Sequence, residues 1–258
     1  MGLWTLAFGI RVLLLSSLAL ALVSTTGCDD KIGPSASGNP PAPARGKTVF
    51  GSGTIRGVVK FVGTPPPRAT ITNQPCHEGA PPLKDETVVV NDDGTLANVF
   101  VYLADAPESD GSDRPAAVLD QVDCRYVPHA VGVQVGQPLR IRTSDPKTLH
   151  NVHLLASANP PLNFGLTDAG AEKTVTFQQP EFIRTKCDVH PWMTGYVGVF
   201  TSPFFAVTAE GRGTFEIPRV PPGKYKLVAW HEQYGQIEQP VEAKDNEPVQ
   251  VTVTYKAP

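Results

Sequence analysis

Proline recurs so often in this chain that a long helix has almost nowhere to form. There are 26 prolines and 23 glycines among 258 residues. Each proline removes a backbone donor and fixes one dihedral, which breaks helices but suits the turns between strands. Between these breaks lie short alternating or β-branched runs, the pattern of half-buried strands. They cover residues 54–62, 88–90, 99–103, 131–135, 139–143, 151–155, 174–177, 182–187 and 196–200. In Leu139, Arg140, Ile141, Arg142 and Thr143 the apolar side chains share one face and the arginines the other, as in a sheet with one wet side. No stretch of comparable length repeats with helical period. The expected fold is all-β, an antiparallel β-sandwich and a second one beside it. Hydrophobic residues make up 41% of the chain and charged residues 18%, enough for a core and too apolar for wholesale disorder. The formal net charge of -3 provides no basic footprint, so nucleic acid is excluded as a partner.

The first residues read as an export signal. Arg11 precedes an apolar run from Val12 to Val23, and Ser24, Thr25, Thr26 and Gly27 lead to Cys28. The run is shorter than the roughly 20 residues that span a bilayer, and small residues before a lone cysteine are the pattern of a lipoprotein signal. Lipidation at Cys28 is therefore expected, with the protein exported to the periplasm or cell envelope and held at the membrane. The segment from Asp29 to Gly51 carries Pro34, Pro40, Pro41 and Pro43 among Ser, Gly and Ala. It reads as a disordered tether, with an end-to-end distance on the order of 25 Å as a flexible coil.

Near the C-terminus Gly213, Thr214 and Phe215 are followed by Pro221, Pro222, Gly223, Lys224 and Tyr225. This G-x-F and P-P-G-x-Y pattern resembles the carboxypeptidase regulatory-like module, a small transthyretin-like β-sandwich. The first strand of such a module reads G-x-V-x-G-x-V, to which Gly53–Val59 is similar, so a strand over 54–62 is expected to pack beside the C-terminal segment. The resemblance imports no peptidase activity, because the module carries no catalytic zinc set. The expected organisation is a signal peptide over 1–27, a linker over 28–51, N-terminal strands over 52–96, a larger β domain over 97–202 and the small sandwich over 203–258.

Cysteine use is the sharpest chemical clue. With Cys28 assigned to the signal, Cys76, Cys124 and Cys187 remain, an odd number for an exported chain. Cys187 stands in Cys187-Asp188-Val189-His190-Pro191-Trp192-Met193, and Met193 is the only methionine besides the initiator. A thiolate, an imidazole and a thioether at successive three-residue intervals form a soft mixed donor set suited to copper. A His₂Cys plane with a weak axial Met needs a second imidazole. Alternation in Leu149-His150-Asn151-Val152-His153-Leu154 puts His150 on the inward face with Val152 and Leu154 and turns His153 outward, so His150 is chosen.

The segment 124–200 resembles the cupredoxins, the blue-copper electron carriers, and among them the short-loop amicyanin type. Tyr126-Val127-Pro128, Val133-Gln134-Val135-Gly136, His150-Asn151-Val152 and the C-x-x-H-x-x-M loop from Cys187 to Met193 carry the likeness. It implies a Greek-key β-sandwich and one type 1 copper site. His150, Cys187 and His190 would be equatorial ligands and Met193 the axial one, with Asn151 tying the two ligand segments together. Cys76 and Cys124 are expected to form a disulfide in an oxidising compartment. His77 and His129 read as ordinary loop residues, and His231 as a strand-end histidine packed on Trp230.

The leading functional expectation is a one-electron carrier, not an enzyme, that meets redox partner proteins. A copper carrier or sensor using the same ligands is one alternative. The other is a cell-surface module that contacts carbohydrate or protein beside a vestigial copper site. Paired H-x-H motifs for a trinuclear copper cluster are absent from the sequence, as are a G-x-S-x-G elbow, a P-loop and an H-E-x-x-H helix.

Overall fold

The computed structural model describes residues 45–72, 82–146 and 148–257. Within them the chain is all-β, and no helix long and apolar enough to cross a membrane occurs. In chain order the first strands are β1 (Gly53–Val62), β2 (Thr70–Ile71), β3 (Leu83–Lys84), β4 (Phe100–Leu103), β5 (Ala117–Val122) and β6 (Arg125–Val127). Next come β7 (Ala130–Gln134), β8 (Leu139–Thr143), β9 (His150–Leu155), β10 (Leu162–Leu166), β11 (Glu172–Val175) and β12 (Glu181–Lys186). The last are β13 (Thr194–Phe200), β14 (Phe205–Val207), β15 (Thr214–Val220), β16 (Gly223–His231), β17 (Gly235–Ala243) and β18 (Pro248–Lys256).

Four main sheets result, in strand orders β11-β8-β5-β6, β10-β9-β12-β13-β7, β14-β4-β16-β17 and β15-β1-β18. Three apolar layers separate them. The first, between the first two sheets, holds Leu119, Ile141, Val152, Leu154, Ile183 and Val197. The third, between the last two, holds Ile55, Val101, Leu103, Ile217, Leu227 and Val253, with Tyr225 packed against it. The middle layer is aromatic: Phe100 and Phe200 pack with Tyr102, Phe182, Tyr196, Phe205 and Trp230.

Strand period explains how one strand serves two layers. On β4, Val101 and Leu103 face the third layer while Phe100 and Tyr102 face the aromatic one. On β13, Val197 and Val199 face the first layer while Tyr196 and Phe200 face the aromatic one. Phe182 and Trp230 stack across the joint with centroids 4.2 Å apart and planes 6° apart. Close approach is made possible by two glycines paired on β7 and β13, Gly132 and Gly198. A Cβ on Gly198 would meet the Phe100 ring at 2.8 Å, and one on Gly132 the Phe205 ring at 2.6 Å.

Several sequence expectations change. Three of the four main sheets are mixed rather than antiparallel, because β1 pairs parallel with β18, β13 with β7 and β5 with β8, and only β14-β4-β16-β17 is antiparallel throughout. Alternation marks a strand but not its direction, which is set by distant partners. The run 88–90 forms no strand beyond a bridge between Val90 and Leu96. β4 pairs with β14 and β16, so residues 100–103 build the sheet of the C-terminal segment. His231 does not pack on Trp230. Neighbours on a strand face opposite ways, so Trp230 joins the aromatic layer while His231 stacks on Tyr234, centroids 5.1 Å apart. His129 is no ordinary loop residue either: it is buried and its Nε2 pairs with the Glu232 carboxylate. Cys28, Cys76 and His77 lie outside the described residues.

Candidate metal centre

Three strand ends meet at one edge of the five-stranded sheet. β9 and β12 pair antiparallel with Lys186 opposite His153, so the start of β9 and the end of β12 fall side by side. β13 returns from the same end, with Thr194 opposite Lys186. His150 opens β9, and the loop from Cys187 to Met193 joins β12 to β13. Two backbone bonds close that loop: Cys187 N–H donates to the Met193 carbonyl at 3.0 Å and Met193 N–H to the His190 carbonyl at 2.9 Å.

The expected donors His150, Cys187, His190 and Met193 are all buried here. His150 Nδ1 lies 3.1 Å from His190 Nδ1, which lies 3.7 Å from Cys187 Sγ. With metal–nitrogen bonds of about 2.05 Å and a metal–sulfur bond of about 2.3 Å, these separations correspond to roughly 100° and 115° at a shared ion. Both separations at His190 are therefore those of neighbouring donors on one ion. The Met193 side chain lies in the same apolar cluster as Cys187. Cys187 is a free buried thiol.

Asn151 links the segments. Its Oδ1 accepts from Asp188 N–H at 2.6 Å and from the Cys187 thiol at 3.3 Å, and its Nδ2 donates to Asp188 Oδ2 at 2.9 Å. Beneath it the Tyr126 hydroxyl donates towards the Asn151 carbonyl at 2.8 Å and lies 3.0 Å from the Lys186 carbonyl. His153 points to the other face and contacts Asp188 at 3.0 Å.

One residue escaped the sequence reading. Asp145 Oδ2 lies 2.8 Å from His150 Nε2, and the same carboxylate accepts the backbone N–H groups of Asp123 at 2.6 Å and Cys124 at 2.9 Å. Occupying Nε2 this way leaves the Nδ1 lone pair turned towards the other donors. Burial disfavours a charged His150, but the bonds to Asp145 and Cys187 outweigh it and push its pKa up to about 9. Burial raises the Cys187 thiol, yet its hydrogen bonds with His150 and with the N–H groups of Asn151, His190 and Val189 carry it below the usual thiol range. Burial, and then the neighbouring His150 charge, hold His190 low.

A second sulfur borders the centre. One donor atom each from Cys124, His150 and His190 lie within 4.8 Å of one another, all three residues being buried. Cys124 is disulfide-bonded, so its sulfur is no thiolate. Its expected partner, Cys76, is outside the described residues.

No protein-family model and no curated protein matches the chain. Solved structures do show likeness. A copper-containing nitrite reductase from Thermus scotoductus SA-01 is 20% identical with a TM-score of 0.31, over 33% of this chain and 22% of that one. A purple cupredoxin from Nitrosopumilus maritimus is 19% identical with a TM-score of 0.28, over 32% of this chain and 98% of that one. An oxidised mutant of amicyanin is 21% identical with a TM-score of 0.30, over 38% of this chain and 97% of that one. The chain thus spans less than a quarter of the nitrite reductase chain and nearly the whole of the two smaller proteins.

Proposed function

We propose that this protein is a copper-binding one-electron carrier of cupredoxin type, with His150, Cys187 and His190 as the strong ligands and Met193 as the weak axial one. The observation that carries the reading is the convergence of two imidazole Nδ1 atoms and one buried thiol at separations of 3.1 and 3.7 Å. A thiolate with two imidazoles and a thioether suits copper, and a trigonal arrangement lies between the preferences of its two oxidation states. Rigid strand ends holding the donors before the ion arrives keep movement on electron transfer small.

The chain's own groups have definite tasks in this reading. Cys187 binds as thiolate and gives up its proton, which its hydrogen-bonding surroundings favour. Asp145 holds the His150 ring, Asn151 holds the Cys187 sulfur, and the Trp192 indole donates to the Cys124 carbonyl at 3.2 Å to pin the loop beside His190. Export with a lipid anchor at Cys28, and a redox protein as partner, belong to the same proposal and rest on the leader and tether sequences. The β1, β4 and β14–β18 sheets would be a carboxypeptidase regulatory-like module carried by the carrier. The test is the absorption spectrum of the copper-loaded protein. An intense visible thiolate-to-copper band with narrow copper hyperfine splitting, abolished in Cys187→Ser, supports the reading. A colourless copper complex overturns it.

A further inference from the structure

The feature the electron-carrier reading leaves unused is the disulfide sulfur at its edge. Cys124 is not a chance neighbour, for three restraints place it. Asp123 and Cys124 form the two-residue turn between β5 and β6, where Val122 pairs with Arg125. Both turn residues have positive φ, 52° and 54°, the combination that a type I′ hairpin turn requires and non-glycine residues resist. The Asp145 carboxylate compensates by accepting both turn N–H groups, and it is also the group that holds His150. On the far side the Trp192 indole holds the Cys124 carbonyl to the loop of His190. One carboxylate and one indole thus tie the turn to both imidazole ligands.

We propose that Cys124 is a latent donor of the same centre, released when its disulfide is reduced. This rests on the metal reading above. A dithiol supplies two electrons and two protons: the protein S–S bond breaks, two protein thiols form, and the dithiol leaves as a disulfide. The centre then offers two thiols and two imidazoles, and binding an ion expels the thiol protons. In a tetrahedral site, bonds of about 2.3 Å to sulfur and 2.05 Å to nitrogen put sulfur about 3.6 Å from nitrogen. The Cys124 sulfur already lies within 4.8 Å of one nitrogen of each ring, so closing on each by on the order of 1 Å would bring it to that separation. A Cys₂His₂ set favours d¹⁰ ions in tetrahedral geometry over an ion that alternates between two oxidation states. Disulfide reduction would therefore turn an electron-exchanging site into a metal-holding one.

Cobalt(II) tests this without interference from the reductant, since the intensity of its thiolate charge-transfer absorption follows the number of bound thiolates. Metal-free protein is titrated with cobalt(II) as isolated, and again after anaerobic treatment with a phosphine, which takes up one oxygen from water as the S–S bond is reduced to two thiols. The same is done with Cys124→Ala, and with Cys124→Ser should the alanine variant not fold. The expected result is one thiolate per cobalt as isolated, an approximately doubled absorption after reduction, and no doubling in either Cys124 variant. An unchanged spectrum after reduction, doubling that persists without Cys124, or a disulfide that resists the phosphine in the folded protein overturns the proposal. Absence of any thiolate absorption in the protein as isolated instead overturns the metal reading on which it rests.

Discussion

Asp145 and His150 share a 2.8 Å hydrogen bond between a buried carboxylate and a fully buried ring. The bond orients the imidazole, and because the carboxylate also accepts two backbone donors it orients the β5–β6 turn as well. Asp145→Ala removes an outer partner of a metal-binding histidine, a change that typically lowers affinity about 10–100-fold. It also strands the buried Cys124 N–H, worth roughly 1–3 kcal/mol, and frees the half-buried Asp123 N–H. Copper competition titration should show the affinity loss, and metal-free denaturant unfolding should show the stability loss separately. Unchanged affinity would mean that Nε2 is held by something other than this carboxylate.

His150 and His153 are three residues apart on one strand and face opposite sides. His150 is fully buried, whereas the His153 side chain keeps 27% of its exposure and meets Asp188 outside the core. His150→Ala should abolish the thiolate-to-copper band. His153→Ala should keep the band and its copper affinity, because an exposed pair of this kind contributes only about 0–1 kcal/mol. Loss of the band in both variants would show that the outward face contributes a ligand.

The aromatic layer joins the two halves of the stack, and Phe100 is its fully buried centre, in ring contact with Phe182, Phe200 and Trp230. Phe100→Ala should destabilise by about 3–5 kcal/mol, as large core truncations do. Gly198→Ala tests the same layer from the other side by forcing a Cβ to within 2.8 Å of the Phe100 ring, an overpacking that costs about 1–3 kcal/mol. Urea unfolding reads both. Each substitution should leave the copper spectrum unchanged, since the donors lie in a different apolar layer.

What the sequence made legible was whatever local period or spacing encodes. β8 has the bounds that the alternation of Leu139 to Thr143 implies, and the inward placement of His150 rather than His153 follows from the same period. β5 was hidden because Asp120 and Gln121 interrupt its apolar run, and buried polar residues look like loop until their partners are known. Asp120 is matched by Arg142 at 2.7 Å and Ser144 at 2.9 Å, both brought by the adjoining β8 segment. Asp145 was missed for a related reason: nothing in Ser144-Asp145-Pro146 says which ring it will meet. The parallel pairing of β1 with β18 joins residues nearly 200 positions apart, and no local pattern carries that information.

His231 links stability to acidity. The ring is fully buried at the end of β16, its Nδ1 accepting the Gln233 N–H at 3.1 Å beside Tyr234 and Tyr255. Burial, assisted by the nearby His129 charge, lowers its pKa to about 4, whereas an unfolded histidine titrates near 6.5. Between these values the unfolded chain binds the extra proton and the folded chain does not, so stability rises with pH across that window. This contribution is complete above about pH 6.5 and is lost progressively as pH falls towards 4, reaching about 3 kcal/mol at 1.36 kcal/mol per unit. His231→Leu removes the titrating group while keeping an apolar volume in the layer. The unfolding free energy of the variant, measured by denaturant from pH 7 to 4, should fall less steeply than that of the native chain. Parallel curves would locate the acid sensitivity in another residue.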